Sequence, residues 1–213
     1  MNGRENYYRF LAELYKIEIT PKMLESFEHL IHEPFADTAM REGYQLIKRY
    51  FDNNPFDPLT ELAVDYARIF LGAGIAEKEL ISAPYESVYT SPERLIMQDA
   101  RDKVLKIYRE NGVDKVQGFD VPEDHLAIEL EFMAYLCSET KKACEAGNLP
   151  EIDRLICIQK DFIKEHLLNW TPKLFYEVKQ FSQTDFYRGV AEITESFLNT
   201  DKYLLDDIFC NEG

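Results

Sequence analysis

Apolar residues recur along nearly the whole chain at intervals of three and four. No stretch alternates apolar with polar at the period of two that a half-buried strand needs. A chain patterned this way buries its apolar faces by packing helix on helix, so an all-α fold is expected. Tyr7, Phe10, Leu11, Leu14 and Tyr15 mark the first helix. Thr20-Pro21 opens a second, carrying Met23, Leu24, Phe27, Leu30 and Ile31. The threonine can cap free N–H groups, and proline suits the first helical position because its own missing N–H would have had no partner there. A third helix is expected over residues 37–53, with Tyr44, Leu46, Ile47, Tyr50 and Phe51 inward. Asp57-Pro58 begins a fourth, with Leu62, Tyr66, Ile69 and Phe70 on its apolar face and Gly72 and Gly74 as its stop.

Beyond Gly74 the pattern lapses. Residues 73–90 read as the longest non-helical segment, and a loop of that length inside a compact domain tends to carry function. Ser91-Pro92 is expected to start a helix that ends at Asn111-Gly112. A linker over 113–121, a candidate hinge, then leads to a long helix from Pro122 to the Gly147 stop. Asn148 and Glu151 form a capping pair for the next, which runs through Phe162 and Leu167. Thr171-Pro172 starts another, and Thr184 or Asp185 caps one carrying Phe186, Val190, Ile193 and Phe197. A short last helix follows Asp201. The sum is a single compact helical domain over residues 1–213, built of eight to ten helices.

Charge narrows the function classes. Acidic side chains number 39 against 24 basic ones, a formal charge of −15. The basic residues are scattered, so nucleic acid is not an expected partner, whereas a cationic partner would be drawn in. The amino terminus has no apolar signal core and no stretch is long and apolar enough to cross a bilayer, so a cytoplasmic chain with no integral membrane segment is expected. Cys137, Cys144, Cys157 and Cys210 form no C-x-x-C pair and read as reduced structural residues. Cys137 and Cys144, seven apart on one helical face, are expected to be buried. His29 and His32 read as partly exposed surface residues. Neither a G-x-S-x-G elbow nor a P-loop, an H-E-x-x-H or a Glu-x-x-His signature occurs. No catalytic residue, metal or cofactor is therefore assigned.

What remains is Pro122-Glu123-Asp124-His125-Leu126, read as the first turn of the long helix with Pro122 at its first position. The helix dipole favours Glu123 and Asp124 there and opposes a charged His125. Such a cluster can be a catalytic dyad, a cap, or an anchor for the cationic or polar part of a peptide held in an apolar groove. It can also belong to a metal-dependent or nucleotide-hydrolysing helical enzyme using Asp124, His125 and Glu129, the last two being four apart on one face.

Three ordered segments bear on the choice. The first is Asp65-Tyr66-Ala67-Arg68-Ile69-Phe70-Leu71-Gly72 with Ala83-Pro84-Tyr85-Glu86-Ser87-Val88-Tyr89. The second is Pro122-Glu123-Asp124-His125-Leu126 with Glu129 and Phe132, and the third is His166-Leu167-Leu168-Asn169-Trp170-Thr171-Pro172 with Phe186-Tyr187 and Phe197-Leu198. In order and content they resemble the TorD/DmsD family of redox-enzyme maturation chaperones, over about Tyr7 to Leu198. The resemblance implies an all-helical, non-enzymatic protein of the cytoplasm. It would bind the twin-arginine signal peptide of a molybdenum-containing oxidoreductase subunit and hold the apo form of that subunit until its molybdopterin cofactor is inserted, so delaying export. It implies a leader-binding role for Pro84, Tyr85, Ser87, Tyr89, Pro122, Asp124 and His125, with Phe70 and Leu71 as groove wall. Some members carry Trp-Gly where this chain has Tyr85-Glu86, a departure that adds a negative charge at the site. A monomer and a domain-swapped dimer about the 113–121 hinge are both compatible with the pattern.

Overall fold

A computed structural model describes residues 2–30, 40–53, 55–75, 81–113 and 120–208. The chain is all-α, as its periodicity requires. Its helices are α1 (Asn2–Lys16), α2 (Pro21–Leu30), α3 (Arg41–Asp52), α4 (Pro58–Leu71), α5 (Glu86–Thr90), α6 (Asp99–Glu110), α7 (Leu126–Glu145), α8 (Leu149–Phe162), α9 (Leu168–Phe181) and α10 (Asp185–Asp206). A π-helical turn, Ile163–Leu167, joins α8 to α9. No described helix is long and apolar enough to cross a membrane. His32, Cys210 and most of the expected 113–121 hinge lie outside the described residues, as does the side chain of His29.

Contacts group the chain into two compact units. One comprises residues 1–16, 84–170 and 201–213, the other residues 17–83 and 171–200. In the first, α1 packs along α7. Tyr8, Leu11 and Leu14 of α1 and Leu130, Met133 and Leu136 of α7 are at most 2% exposed. Asp201, itself buried, accepts hydrogen bonds from Arg4 and, at 2.6 Å, from the Tyr8 hydroxyl. Arg4 also reaches Gln159 at 2.9 Å, and Gln159 donates to Thr140 at 2.9 Å. These polar groups satisfy one another, which is the condition for burying them.

The second unit is an aromatic core closed by a buried aspartate. Phe186 stands edge-on to Phe27 and Tyr50, and Phe70 lies between Tyr66 and Tyr187. Asp65 accepts the backbone N–H groups of Gln183 and Thr184 and the Thr184 hydroxyl, at 2.8 to 3.1 Å. It thereby fixes the entry to α10 from within α4. Helices α3 and α10 cross at two glycines. A Cβ on Gly43 would lie 2.6 Å from Ile193 and 2.8 Å from the Gly189 carbonyl, and one on Gly189 would lie 2.5 Å from the Gly43 carbonyl.

Several expected boundaries are corrected. Residues 73–90 are not one loop, because α5 forms within them. Helix α6 begins at Asp99 rather than Ser91, since Arg94 and Met97 adopt positive φ, which a right-handed helix excludes. Helix α7 begins at Leu126 with His125 as its N-cap, not at Pro122. Pro172 lies inside α9, just after the π turn has shifted the hydrogen-bond ladder, and Asp201 lies inside α10. Cys144 is exposed, whereas Cys137 is buried.

Gly43→Ala and Gly189→Ala should each destabilise the protein, because the clashing atoms include backbone that cannot rotate away. Overpacking of this kind costs about 1–3 kcal/mol, which for a chain of this size lowers Tm by roughly 2–10 °C. Thermal melts of the two variants check it.

Candidate functional site

The Tyr85 segment and the Asp124-His125 segment, far apart in sequence, are hydrogen-bonded side by side. Leu126 N donates to the Pro84 carbonyl at 2.9 Å and Glu86 N donates to the Asp124 carbonyl at 3.0 Å. Together they make an isolated antiparallel bridge between Tyr85 and His125. The Asp124 carboxylate then accepts the Ser87 N–H at 2.9 Å. Ser87 N–H belongs to the first turn of α5, where no intrahelical acceptor exists, and the side chain of Tyr85 provides no cap. Asp124 therefore caps a helix it does not belong to. His125 caps its own helix, its Nδ1 accepting the Ala127 N–H at 3.1 Å.

That cap decides the histidine's chemistry. An Nδ1 that accepts carries no proton, and burial pushes the His125 pKa down to about 3. The ring is neutral at physiological pH, with its proton on Nε2. Tyr85 stands edge-on to it at 4.9 Å between ring centroids. Tyr89 stacks on the buried Trp170 at 5.5 Å, and Arg94 lies over the outer region of that pair, 5.3 Å from the Tyr89 ring centre. The Ser87 hydroxyl accepts Gln98 N–H at 3.1 Å.

Beneath these residues lie three buried carboxyl groups. Asp124 and Glu129 have no solvent exposure and Glu86 has 3%. Glu86 pairs with His166 Nδ1 at 2.9 Å, and Glu129 accepts the Trp170 indole N–H at 3.1 Å. Burial pushes the Glu129 carboxyl well above its ordinary range, and the nearby charges of Glu86 and Asp124 push the same way. Burial also raises Asp124, against the opposing pull of its bonds to Ser87. Asp124 Oδ1 and Glu129 Oε1 are shielded from solvent and lack a hydrogen-bond partner among the described residues.

Of the residues named from sequence, Pro84, Tyr85, Ser87, Tyr89, Pro122, Asp124 and His125 fall in the first unit. Pro122 is half-buried, and its carbonyl accepts the His125 N–H at 3.1 Å. Phe70 and Leu71 fall in the second unit, Phe70 buried between aromatic rings and Leu71 67% exposed at the end of α4. Glu86, Glu129, His166 and Trp170 were not assigned as binding residues. One signal was available, since Glu129 falls on the face of α7 defined by Leu126, Leu130, Met133 and Leu136. A carboxylate in an apolar stripe calls for a reason other than packing.

The family model described as "Nitrate reductase delta subunit" matches residues 33–176. A curated relative, "Chaperone protein TorD" of Vibrio cholerae serotype O1 strain ATCC 39315 / El Tor Inaba N16961, is 33% identical, covering 73% of this chain and 67% of its own. The TorD of Vibrio cholerae strain M66-2 is 31% identical, covering 96% and 93%, and that of Vibrio parahaemolyticus is 27% identical, covering 96% and 95%. The chain belongs to the TorD/DmsD family of redox-enzyme maturation chaperones. The relatives are named as chaperones, and the family is a non-enzymatic one. His125 Nδ1 is committed to a backbone N–H, Glu129 is held by Trp170, and no group of three or more His, Cys, Asp or Glu among the described residues is arranged to hold a metal ion. The enzyme alternative built on Asp124, His125 and Glu129 therefore finds no support in a chaperone of this family.

The buried groups give stability a two-sided pH dependence. His125 is depressed from 6.5, so the unfolded chain takes up its proton first. Stability is lost as pH falls from about 6.5 to about 3, by roughly 1.4 kcal/mol per unit for this group alone. Glu129 is raised, so the folded chain holds its proton above the unfolded pKa, and its contribution is lost as pH rises from about 4.5 upward. Denaturant unfolding of Glu129→Gln across pH 4–9 should show a stabilised variant whose advantage grows with pH and vanishes near 4.5. His125→Asn, which keeps a capping acceptor, should flatten the acid limb.

Proposed function

We propose that this chain is a cytoplasmic chaperone that binds the twin-arginine signal peptide of a molybdenum-containing oxidoreductase subunit. It holds the apo subunit for cofactor insertion before export. The observation that carries the reading is the buried Asp124 Oδ1, an acceptor with no partner among the described residues. Asp124 directly precedes the neutral His125, whose ring meets that of the half-buried Tyr85 across the paired segments. A ligand N–H would satisfy that oxygen, and the half-buried ring of Tyr85 offers contact area with few rotamers to freeze. Family membership supplies the kind of client, and the −15 charge suits a ligand with adjacent arginines.

Burying three or four apolar leader side chains gains roughly 5–10 kcal/mol gross, and ordering the flexible peptide takes back several. A Kd of about 1 µM, near −8 kcal/mol, is the expected balance. Such binding is reversible, as a checkpoint before export requires.

Titration calorimetry against a panel of twin-arginine leaders from the same cell tests this. Asp124→Asn keeps an acceptor for the Ser87 N–H and removes the charge, so it should weaken leader binding about tenfold while leaving Tm within a few degrees. A folded chain that binds none of the leaders would rule the reading out.

A further inference from the structure

Helix α6 and the continuous run of α8, the π turn and the start of α9 enclose two cavities within the first unit. Their volumes are about 430 and 340 Å³, and Glu165 and His166 of the π turn line both. Asp99 and Lys103 of α6 face the larger, and Ile107 and Glu110 of the same helix face the smaller. The two lie side by side along α6 as a pair of hollows, here called the groove, with Glu165 and His166 in the wall they share.

Carboxylates line both, and the two differ in how much apolar surface stands beside them. Around the larger cavity stand the carboxylates of Glu86, Glu93, Asp99 and Glu165, with the ammonium of Lys103 in the same wall; Glu165 is paired with Lys164 at 3.0 Å and Glu86 with His166. In the same wall the Ser91 hydroxyl oxygen is shielded and has no hydrogen-bond partner among the described residues, so it can accept from a donor. The smaller cavity has an apolar surface made by Ile107, Ile158 and Phe162, with the carboxylates of Glu110, Asp161 and Glu165 around it. Its arginine, Arg154, is already held by Glu151 and by the side chain of Asn111. Beside the acidic end, the segment that contributes Pro92, Glu93 and Gln98 to the wall also carries Leu95, Ile96 and Met97, exposed to 56, 46 and 58%. Three consecutive exposed apolar side chains next to an acidic cavity mark a contact surface for something both cationic and apolar.

We propose that this groove seats the arginine pair of the client's leader. The guanidinium groups lie in the acidic cavity, and a neighbouring apolar side chain lies against Ile107, Ile158 and Phe162. The inference rests on the leader-binding reading above and assigns the charged part of that ligand to a place distinct from the Asp124-His125 pairing. A guanidinium presents five donors in a rigid fork, which suits a cavity walled by several carboxylates better than a point-charge ammonium would. The buried Glu86–His166 pair joins the two places, because Glu86 lies one residue from Tyr85 and lines the groove.

A double-mutant cycle measured by titration calorimetry on the full chain tests it. The protein is wild type or Glu93→Gln/Asp99→Asn/Glu165→Gln, and the peptide is a twin-arginine leader or the same leader with both arginines replaced by glutamine. Circular dichroism confirms that the variant folds. The variant should bind the arginine leader at least about tenfold more weakly than wild type and should lose little further on the glutamine leader. Its affinity should also respond less to salt. Equal loss on the glutamine leader in both proteins overturns the groove assignment while leaving leader binding intact. Failure of the wild type to bind the arginine leader overturns the leader reading, and the groove assignment with it.

Discussion

The candidate site depends on one carboxylate. Asp124 holds the Ser87 N–H with its side chain and the Glu86 N–H with its carbonyl, so a single residue positions the start of α5. That helix is five residues long, too short to persist on its own propensity. Without the external cap, Tyr85, Glu86, Ser87 and Tyr89 would lose their common frame, and every contact they make would loosen together. The usual worth of a cap, about 0.5–2 kcal/mol, understates its role here, because the cap selects a conformation as well as stabilising one.

Holding that frame in a buried place has a cost. Asp124, Glu86 and Glu129 sit where apolar side chains would pack without desolvating charge, and both Asp124 and Glu129 are shifted toward their neutral forms. Against this, His125 is held neutral, so the imidazole offers no compensating cation. Among the described residues, His166 alone stands opposite Glu86 at ion-pair distance. An arrangement that raises the pKa of buried acids while neutralising the adjacent histidine is poorly chosen for stability. It would suit the proposed recognition, since unsatisfied acceptors reward a ligand that donates and reject one that cannot.

Local signals in the sequence were legible and tertiary ones were not. The Asp57 cap with Pro58 and the Asn148 cap on α8 fell where their residues predict, because each acts within one turn of its own helix. Proline signals misled where the neighbouring backbone departed from a regular helix start. Ser91-Pro92 begins no helix, since the chain turns through positive φ at Arg94 and Met97 before α6 can form. Pro122 precedes a cap that His125 provides, and Pro172 is absorbed by the π turn upstream. The Asp124-His125 pair was visible as chemistry, yet its partner helix was read as loop because the cap that makes α5 lies on another segment. The π turn carries no local sequence mark at all, and it is the element that delivers His166.

Placement of charge matters more here than its total. At physiological ionic strength screening sets in over about 8 Å, so a net charge of −15 steers a cationic peptide toward the molecule without choosing where it lands. Choice falls to groups that a ligand can desolvate. Exposed acids such as Glu93 and Glu165 attract at the groove mouth, whereas Glu86, 3% exposed and paired with His166, can respond only to a group that enters the cavity. A peptide reaching Glu86 would compete with His166 for the same carboxylate and would shift the residue next to Tyr85. Under the proposed assignment, occupation of the groove and the set of the paired segments would be linked through one side chain, so the arginines and the apolar stretch of a ligand would be read together.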